Sequence, residues 1–234
     1  MPPEVCDVLD CLADKGLQDI HAPHAAHAAA IVPLLLMGDR PFVWVEDART
    51  RAETGTARLH MMGHGTDGTV LHEAIVTRAR QAREVLWVME EAVKAGIPVV
   101  GEIAGAPRVL DFTATRRLEL FSRANDVPCF LVRIGTDVPA SGSSGARWRW
   151  RMHHHPAAPH PLDPRAPGPA RRVLELVRAR SRPPGRWIVE TQANETGAPH
   201  RVRVVAALAD GNVDARPEPR EGARLIPFRT GRAA

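Results

Sequence analysis

Residues 99–123, VVGEIAGAPRVLDFTATRRLELFSR, decide the fold class. A short apolar run, Ile97–Ile103, reads as a buried strand that carries an acid, Glu102, near its end. A turn-rich link follows. An amphipathic helix over 112–124 then opens behind Asp111, whose side chain suits an N-cap. Leu118, Phe121 and Ala114 are expected on one side of that helix. A strand ending in an acid and feeding a helix is the unit of a parallel α/β sheet.

The flanking segments repeat that alternation. Upstream, 80–95 has the clearest helical period, with Val85, Val88, Met89, Ala92 and Val93 recurring and Gly96 placed to stop it. Before it, Pro41–Glu46 (PFVWVE) is a compact apolar strand between two aspartates. Residues 4–15 read as a helix ended by Gly16, Leu17–His21 as a strand, and 24–37 as an Ala-rich helix bent or interrupted by Pro33. Residues 48–70 show no clear period, and GHGTDG (63–68) reads as a turn rather than a phosphate loop. Downstream, Phe130–Ile134 is another apolar strand. The reading is a mainly parallel sheet flanked by helices.

After residue 135 the pattern changes. Residues 135–145 (GTDVPASGSSG) form a flexible link. Arg147–Met152 then alternates, with Trp148, Trp150 and Met152 on one face and Arg147, Arg149 and Arg151 on the other. That is a half-buried strand with a basic outer face. Six prolines within 156–170 predict an extended connection. Strand-like runs at 172–179, 186–191 and 201–208 predict antiparallel additions to the sheet edge. The organisation is a core over 1–135, a basic strand extension over 136–208 and a tail over 209–234, rich in Arg, Pro and Glu and read as flexible.

Charge follows the same division. Residues 1–135 carry 14 basic and 18 acidic side chains, net −4, whereas 136–234 carry 17 and 9, net +8. A basic half of that kind suits an acidic partner, either nucleic acid or an acidic protein surface. Candidate contacts are Arg116, Arg117 and Arg123 on the helix, Arg147, Arg149 and Arg151 on the alternating strand, and Arg178 and Arg180 before a Pro-Pro-Gly turn. For each the bland alternative is a solvated face.

No apolar run approaches the ~18–20 residues of a membrane span. The N-terminus lacks a basic segment before an apolar one, so no secretory signal is expected. Cys6, Cys11 and Cys129 lack metal-ligand spacing, which predicts a cytoplasmic protein with reduced thiols. His153, His154, His155 and His160 have no cysteine nearby, and only Asp163 among nearby acids, to complete a site; no metal is expected. No G-x-S-x-G elbow supports a hydrolase.

Taken in order, Glu102, Thr113-Ala114-Thr115-Arg116-Arg117-Leu118, Leu120, Trp148, the arginine-rich run 171–180 and Arg186-Trp187 resemble the ImuA family. These are RecA-like accessory proteins of bacterial SOS-induced translesion synthesis. The resemblance covers about residues 16–207. It implies a RecA-like fold and a non-catalytic adaptor in induced mutagenesis. It also implies partnership with ImuB, a Y-family polymerase homologue, and with an error-prone C-family DNA polymerase; RecA and DNA are further candidate partners. ImuB contact in the family is attributed mainly to the C-terminal portion. The chain starts close to its first core strand, a departure from many relatives that leaves RecA-type oligomerisation open.

The same resemblance locates a phosphate-loop position at APHAAHAA (22–29), opening with Ala22. A functional loop there needs a glycine, a lysine and a hydroxyl. His27, Ala28 and Ala29 stand in those places, and neither lysine of the chain lies in such a loop. No nucleotide cofactor is therefore expected. Glu102 holds the Walker B-like place, read either as a Mg²⁺ or water-activating acid or as a polar strand end. A DNA-dependent RecA-like ATPase and a SulA-like inhibitor of cell division are the alternatives.

Overall fold

The computed structural model describes residues 6–24, 29–37, 41–56, 74–137, 144–160, 162–163, 165–180, 182–192 and 201–208. The segment 63–68 and the tail 209–234 lie outside the described residues.

Helix α1 (Cys6–Ala13) leads through a turn into β1 (Gly16–Ala22), every residue of which is buried. Gly16 makes that entry with φ 102°, and a Cβ there would sit 2.9 Å from a Glu119 carboxylate oxygen. Glycine is thus required twice, for conformation and for space. Helix α2 (Ile31–Met37) and strand β2 (Phe42–Glu46) follow, then α3 (Ala48–Thr54) and β3 (Ala74–Arg78). The remaining core elements are α4 (Ala82–Lys94), β4 (Val99–Ala104), α5 (Phe112–Ala124) and β5 (Pro128–Ile134). Four strands, β6 (Trp148–His155), β7 (Ala170–Ala179), β8 (Gly185–Gln192) and β9 (Arg201–Leu208), complete the order.

All nine strands form one sheet in the order β3-β2-β4-β5-β1-β6-β7-β8-β9. Pairings from β3 through β6 are parallel, and those from β6 to β9 are antiparallel. Strand β6 is therefore the joint between the parallel core and the basic extension. One core layer packs α1 and α2 on a face that includes Ile20, Phe130 and Val132 and continues across Trp148, Trp150 and Leu174. The other packs α4 and α5 against Val45, Val99, Ile103 and Leu131.

Several expectations are met closely. Asp111 caps α5 by accepting from the Ala114 amide at 2.8 Å, and Gly96 follows α4 with φ 74°. Three others change. Pro33 lies in the first turn of α2, where its missing N–H costs no bond, so it does not bend the helix. Helix α3 falls within 48–70, where the sequence shows no clear period, and strand β3 lies just beyond it, where no element is read. Only Thr50 of α3 is buried, and Ile75 and Val76 of the edge strand are exposed, so neither element has an apolar stripe to read. Finally, part of 156–170 folds back on itself instead of running extended. Pro159 bridges Pro167, and the Gly168 amide donates to the Ala158 carbonyl at 2.8 Å.

The buried face of α5 also differs from its expected stripe. Thr115, Leu118, Glu119 and Ser122 are the residues turned inward. The Glu119 carboxylate accepts from the Leu17 amide at 2.7 Å, and the Ser122 hydroxyl accepts from the Gly16 amide at 3.1 Å. These polar side chains fix the start of β1 against the helix.

Candidate functional site

The parallel strands end on one edge, where ligand sites of open α/β sheets form. Two acids meet there. Glu102 of β4 lies opposite Glu46 of β2 in the parallel register, and both are buried. Burial, and then the charge of Glu46, push the Glu102 carboxyl up to about 8. The Thr50 hydroxyl donates to the Glu102 carbonyl at 3.3 Å and accepts from the Ala104 amide at 2.9 Å, pinning α3 onto β4. Glu46 was not singled out in the sequence, although it ends PFVWVE just as Glu102 lies near the end of its strand. Its partnership with Glu102 depends on β2 and β4 being neighbours, which spacing alone does not show.

A carboxyl titrating near neutrality can exchange a proton with a ligand. A nucleotide needs more. Ala22 closes β1 with its side chain in the core, and Ala29 is buried in the same layer. His27 and Ala28 lie outside the described residues. Neither alanine offers a charge or hydroxyl to a phosphate or to Mg²⁺, and the residues at this position do not fit a bound nucleotide.

Further along the edge, Asp19 anchors a second buried network. Arg133 of β5 donates to both its carboxylate oxygens, at 2.7 and 3.0 Å. The His21 ring lies 3.5 Å away. Burial alone would raise Asp19, but the His21 hydrogen bond and the charge of Arg133 hold it below the ordinary carboxylate range. A fork-to-fork pair of this kind holds β1 and β5 in register.

The candidate arginines divide sharply. Arg117 pairs with Glu90 at 2.6 Å and so ties α5 to α4. Arg123 sits 4.0 Å from Glu119. The Arg116 backbone packs against Gly145, where a Cβ would collide with it, and the Gly145 amide donates to Thr115 Oγ1 at 2.9 Å. Arg151 is held by Asp137 and by Glu175, at 2.5 and 3.1 Å.

The expected basic outer face of β6 is accordingly corrected. The tryptophans and Met152 do share the buried core, as the alternation predicted. Arg149, however, is only 5% exposed. The segment before β6 turns back over α5 through Gly145, and this walls Arg149 between that segment and β7. Arg178 and Arg180, read from a distant run, lie beside Arg147 and Arg149. No separation in sequence signalled that meeting.

Arginines elsewhere in the extension hold the sheet together. Glu190, almost fully buried, accepts from Arg171 at 2.8 Å and from Arg203 at 2.8 Å, linking β7, β8 and β9. Burial works against its charge, but these two arginines keep the carboxyl below its ordinary range. Among the described residues no group of three or more His, Cys, Asp or Glu side chains is placed to hold a metal ion, and no helix is long and apolar enough to cross a membrane.

No protein-family model matches the chain. It is 36% identical over 150 residues to Protein ImuA of Caulobacter vibrioides, in strains NA1000 / CB15N and ATCC 19089 / CIP 103742 / CB 15. The match covers 60% of this chain and spans 59% of the length of those relatives. The fold is similar to the crystal structure of the RadB recombinase, with a TM-score of 0.54 and 17% identity, covering 86% of this chain and 97% of that one. Over the matched span the chain is similar in sequence to Protein ImuA. The structural likeness shows a RecA-like fold.

Proposed function

We propose that the chain is a non-catalytic accessory protein of the ImuA–ImuB system of damage-induced mutagenesis. In this reading it acts in the cytoplasm during the SOS response. It binds an ImuB-type Y-family polymerase homologue and, with it, the error-prone C-family polymerase of translesion synthesis. One observation carries the non-catalytic part of the reading. The chain has the parallel strands of a RecA-like fold, yet the position that should cradle phosphates is APHAAHAA, without lysine or hydroxyl.

The fold then serves as a rigid body that presents surfaces. Its C-terminal strands continue the core sheet through β6, so a contact made on the extension is held by the same framework as the core. A second reading, a DNA-dependent ATPase, draws support from the buried Glu46–Glu102 pair at the strand ends.

Titration calorimetry and steady-state hydrolysis separate the two. The expected result is no saturable ATP binding and no DNA-stimulated hydrolysis, together with co-purification of ImuB with the full chain. Steady-state ATPase activity that vanishes in Glu102→Gln would instead establish the enzyme. Failure to retain ImuB under low-salt conditions would remove the adaptor role.

A further inference from the structure

We propose that the cleft between the N-terminal end of β6, the C-terminal end of β7 and the start of α5 binds the phosphate backbone of single-stranded nucleic acid, with Phe112 as a stacking platform for a base. Its lining includes Arg147, Arg149, Arg178, Arg180, Ser144 and Phe112. The proposal deepens the accessory-protein reading and rests on it for the choice of nucleic acid as the source of phosphate.

The charge arrangement points to an anion. Arg149 and Arg178 stand directly opposite each other on antiparallel strands, a like-charge pairing that opposes sheet formation. Burial lowers the Arg149 guanidinium below its ordinary value; Asp19 counters that, while Arg178 and Arg133 add to it. Asp19 is meanwhile held by the Arg133 fork. Among the described residues no carboxylate forms a salt bridge with Arg149, Arg178 or Arg180. The other arginine ladders of this sheet, on Glu175 and Glu190, do include their acids. A phosphate supplies the missing counter-charge, and arginine forks match its oxygens.

Shape and lining favour a strand over a free nucleotide. The cleft holds about 250 Å³, below the ~300–1,000 Å³ typical of pockets that enclose a small molecule. It can seat a phosphate and neighbouring sugar while the rest of the ligand passes over the surface. Phe112 lies on its wall and is 49% exposed, an apolar ring left at the edge of a basic cleft. Arginines on the backbone and an aromatic ring under a base are the two components of sequence-tolerant single-strand binding. Arg151, which belongs to the same strand, is excluded because Asp137 and Glu175 already engage it.

The test uses the full chain and a fluorescein-labelled oligothymidylate of about 16 nucleotides, long enough for one site, followed by anisotropy across a salt series. Arg178 and Arg180 are exposed at the end of β7, so Arg178→Gln with Arg180→Gln should preserve the fold, checked by circular dichroism. Removing two phosphate contacts should lower the log–log salt slope by about 1.4. Phe112→Ala should weaken binding by about fivefold or more without changing the slope. Unaltered affinity and slope in the folded double variant would overturn the proposal. Pyrophosphate binding lost in that variant while oligonucleotide binding persists would reassign the cleft to free phosphates and overturn it. So would equal losses of oligonucleotide and polyglutamate binding with Phe112→Ala neutral, which would mark an acidic protein partner. Retention of ImuB by the double variant keeps any failure here distinct from failure of the accessory role.

Discussion

Trp150→Ala should destabilise the protein by about 3–5 kcal/mol, the cost of emptying a buried aromatic site. Trp150 is fully buried on β6, the strand that joins the parallel core to the basic extension. Its ring stacks beside Trp148 with centroids 6.2 Å apart and planes 18° from parallel. Its indole N–H donates to the side-chain oxygen Oε1 of Gln18 at 2.7 Å. The Gln18 side-chain Nε2 in turn donates to the Cys11 carbonyl at 3.0 Å and to the Asp14 carbonyl at 3.3 Å, closing the end of α1. Truncation thus opens a cavity and strands a buried acceptor. Trp150→Phe keeps most of the apolar volume and should cost less, about 1–3 kcal/mol, chiefly for the orphaned Gln18 oxygen. Urea midpoints measured at constant m-value check both. A small domain has only about 5–15 kcal/mol to lose, so Trp150→Ala should also reduce soluble yield. Both variants should unfold in one transition, because a single core layer runs from Val8 through Ile20 and Trp150 to Val189. A loss below ~1 kcal/mol in Trp150→Ala, or separate transitions for the two halves, would contradict this account.

What the sequence made legible follows from periodicity. Helix α5 occupies 112–124 as read, with its cap, and β9 occupies 201–208. Strands with both faces covered, such as β2 and β4, announce themselves as apolar runs. Elements held mainly by a few polar contacts do not: α3 rests on an Asp47 cap, made to the Thr50 amide, and on hydrogen bonds from Thr50 and Arg51. The arginines show the same division. Alternation told correctly which side of β6 the tryptophans take, but not what covers the other side. Arg149 meets Arg178 through strand pairing, and Arg151 meets Glu175 through the same pairing two rungs on, after a register shift between Arg149 and Trp150. One arginine is left facing like charge and its neighbour on that face is neutralised. Composition and spacing are blind to that distinction because it depends on cross-strand register.

Glu102 should make the protein less stable as pH rises through neutrality. Its folded-state carboxyl is raised to about 8, first by burial and then by the Glu46 charge, from an unfolded value of 4.5. Between those values the folded chain binds the proton and the unfolded chain does not. The stabilisation is therefore fully present below about 4.5 and is lost as pH climbs through about 8. In the middle of that window the loss is about 1.4 kcal/mol for each pH unit. Asp19, Glu90 and Glu190 work in the opposite sense, because their folded carboxyls are lowered; their contribution is lost only as acid protonates them. His153 is lowered by burial, so it favours folding as pH rises toward its unfolded value of 6.5. Above pH 6.5 the carboxylates have finished titrating and only the tail of the His153 change remains, so the Glu102 slope dominates among these groups. Wild-type stability from urea titrations should fall by about 2 kcal/mol between pH 6.5 and 8. Glu102→Gln carries no proton to lose, so its curve should stay flat over the same interval and cross above the wild type near the alkaline end. Parallel curves for the two proteins would mean that Glu102 is already ionised at neutrality. The strand-end pair would then be two adjacent carboxylates, which is the condition under which the ATPase reading gains over the accessory one.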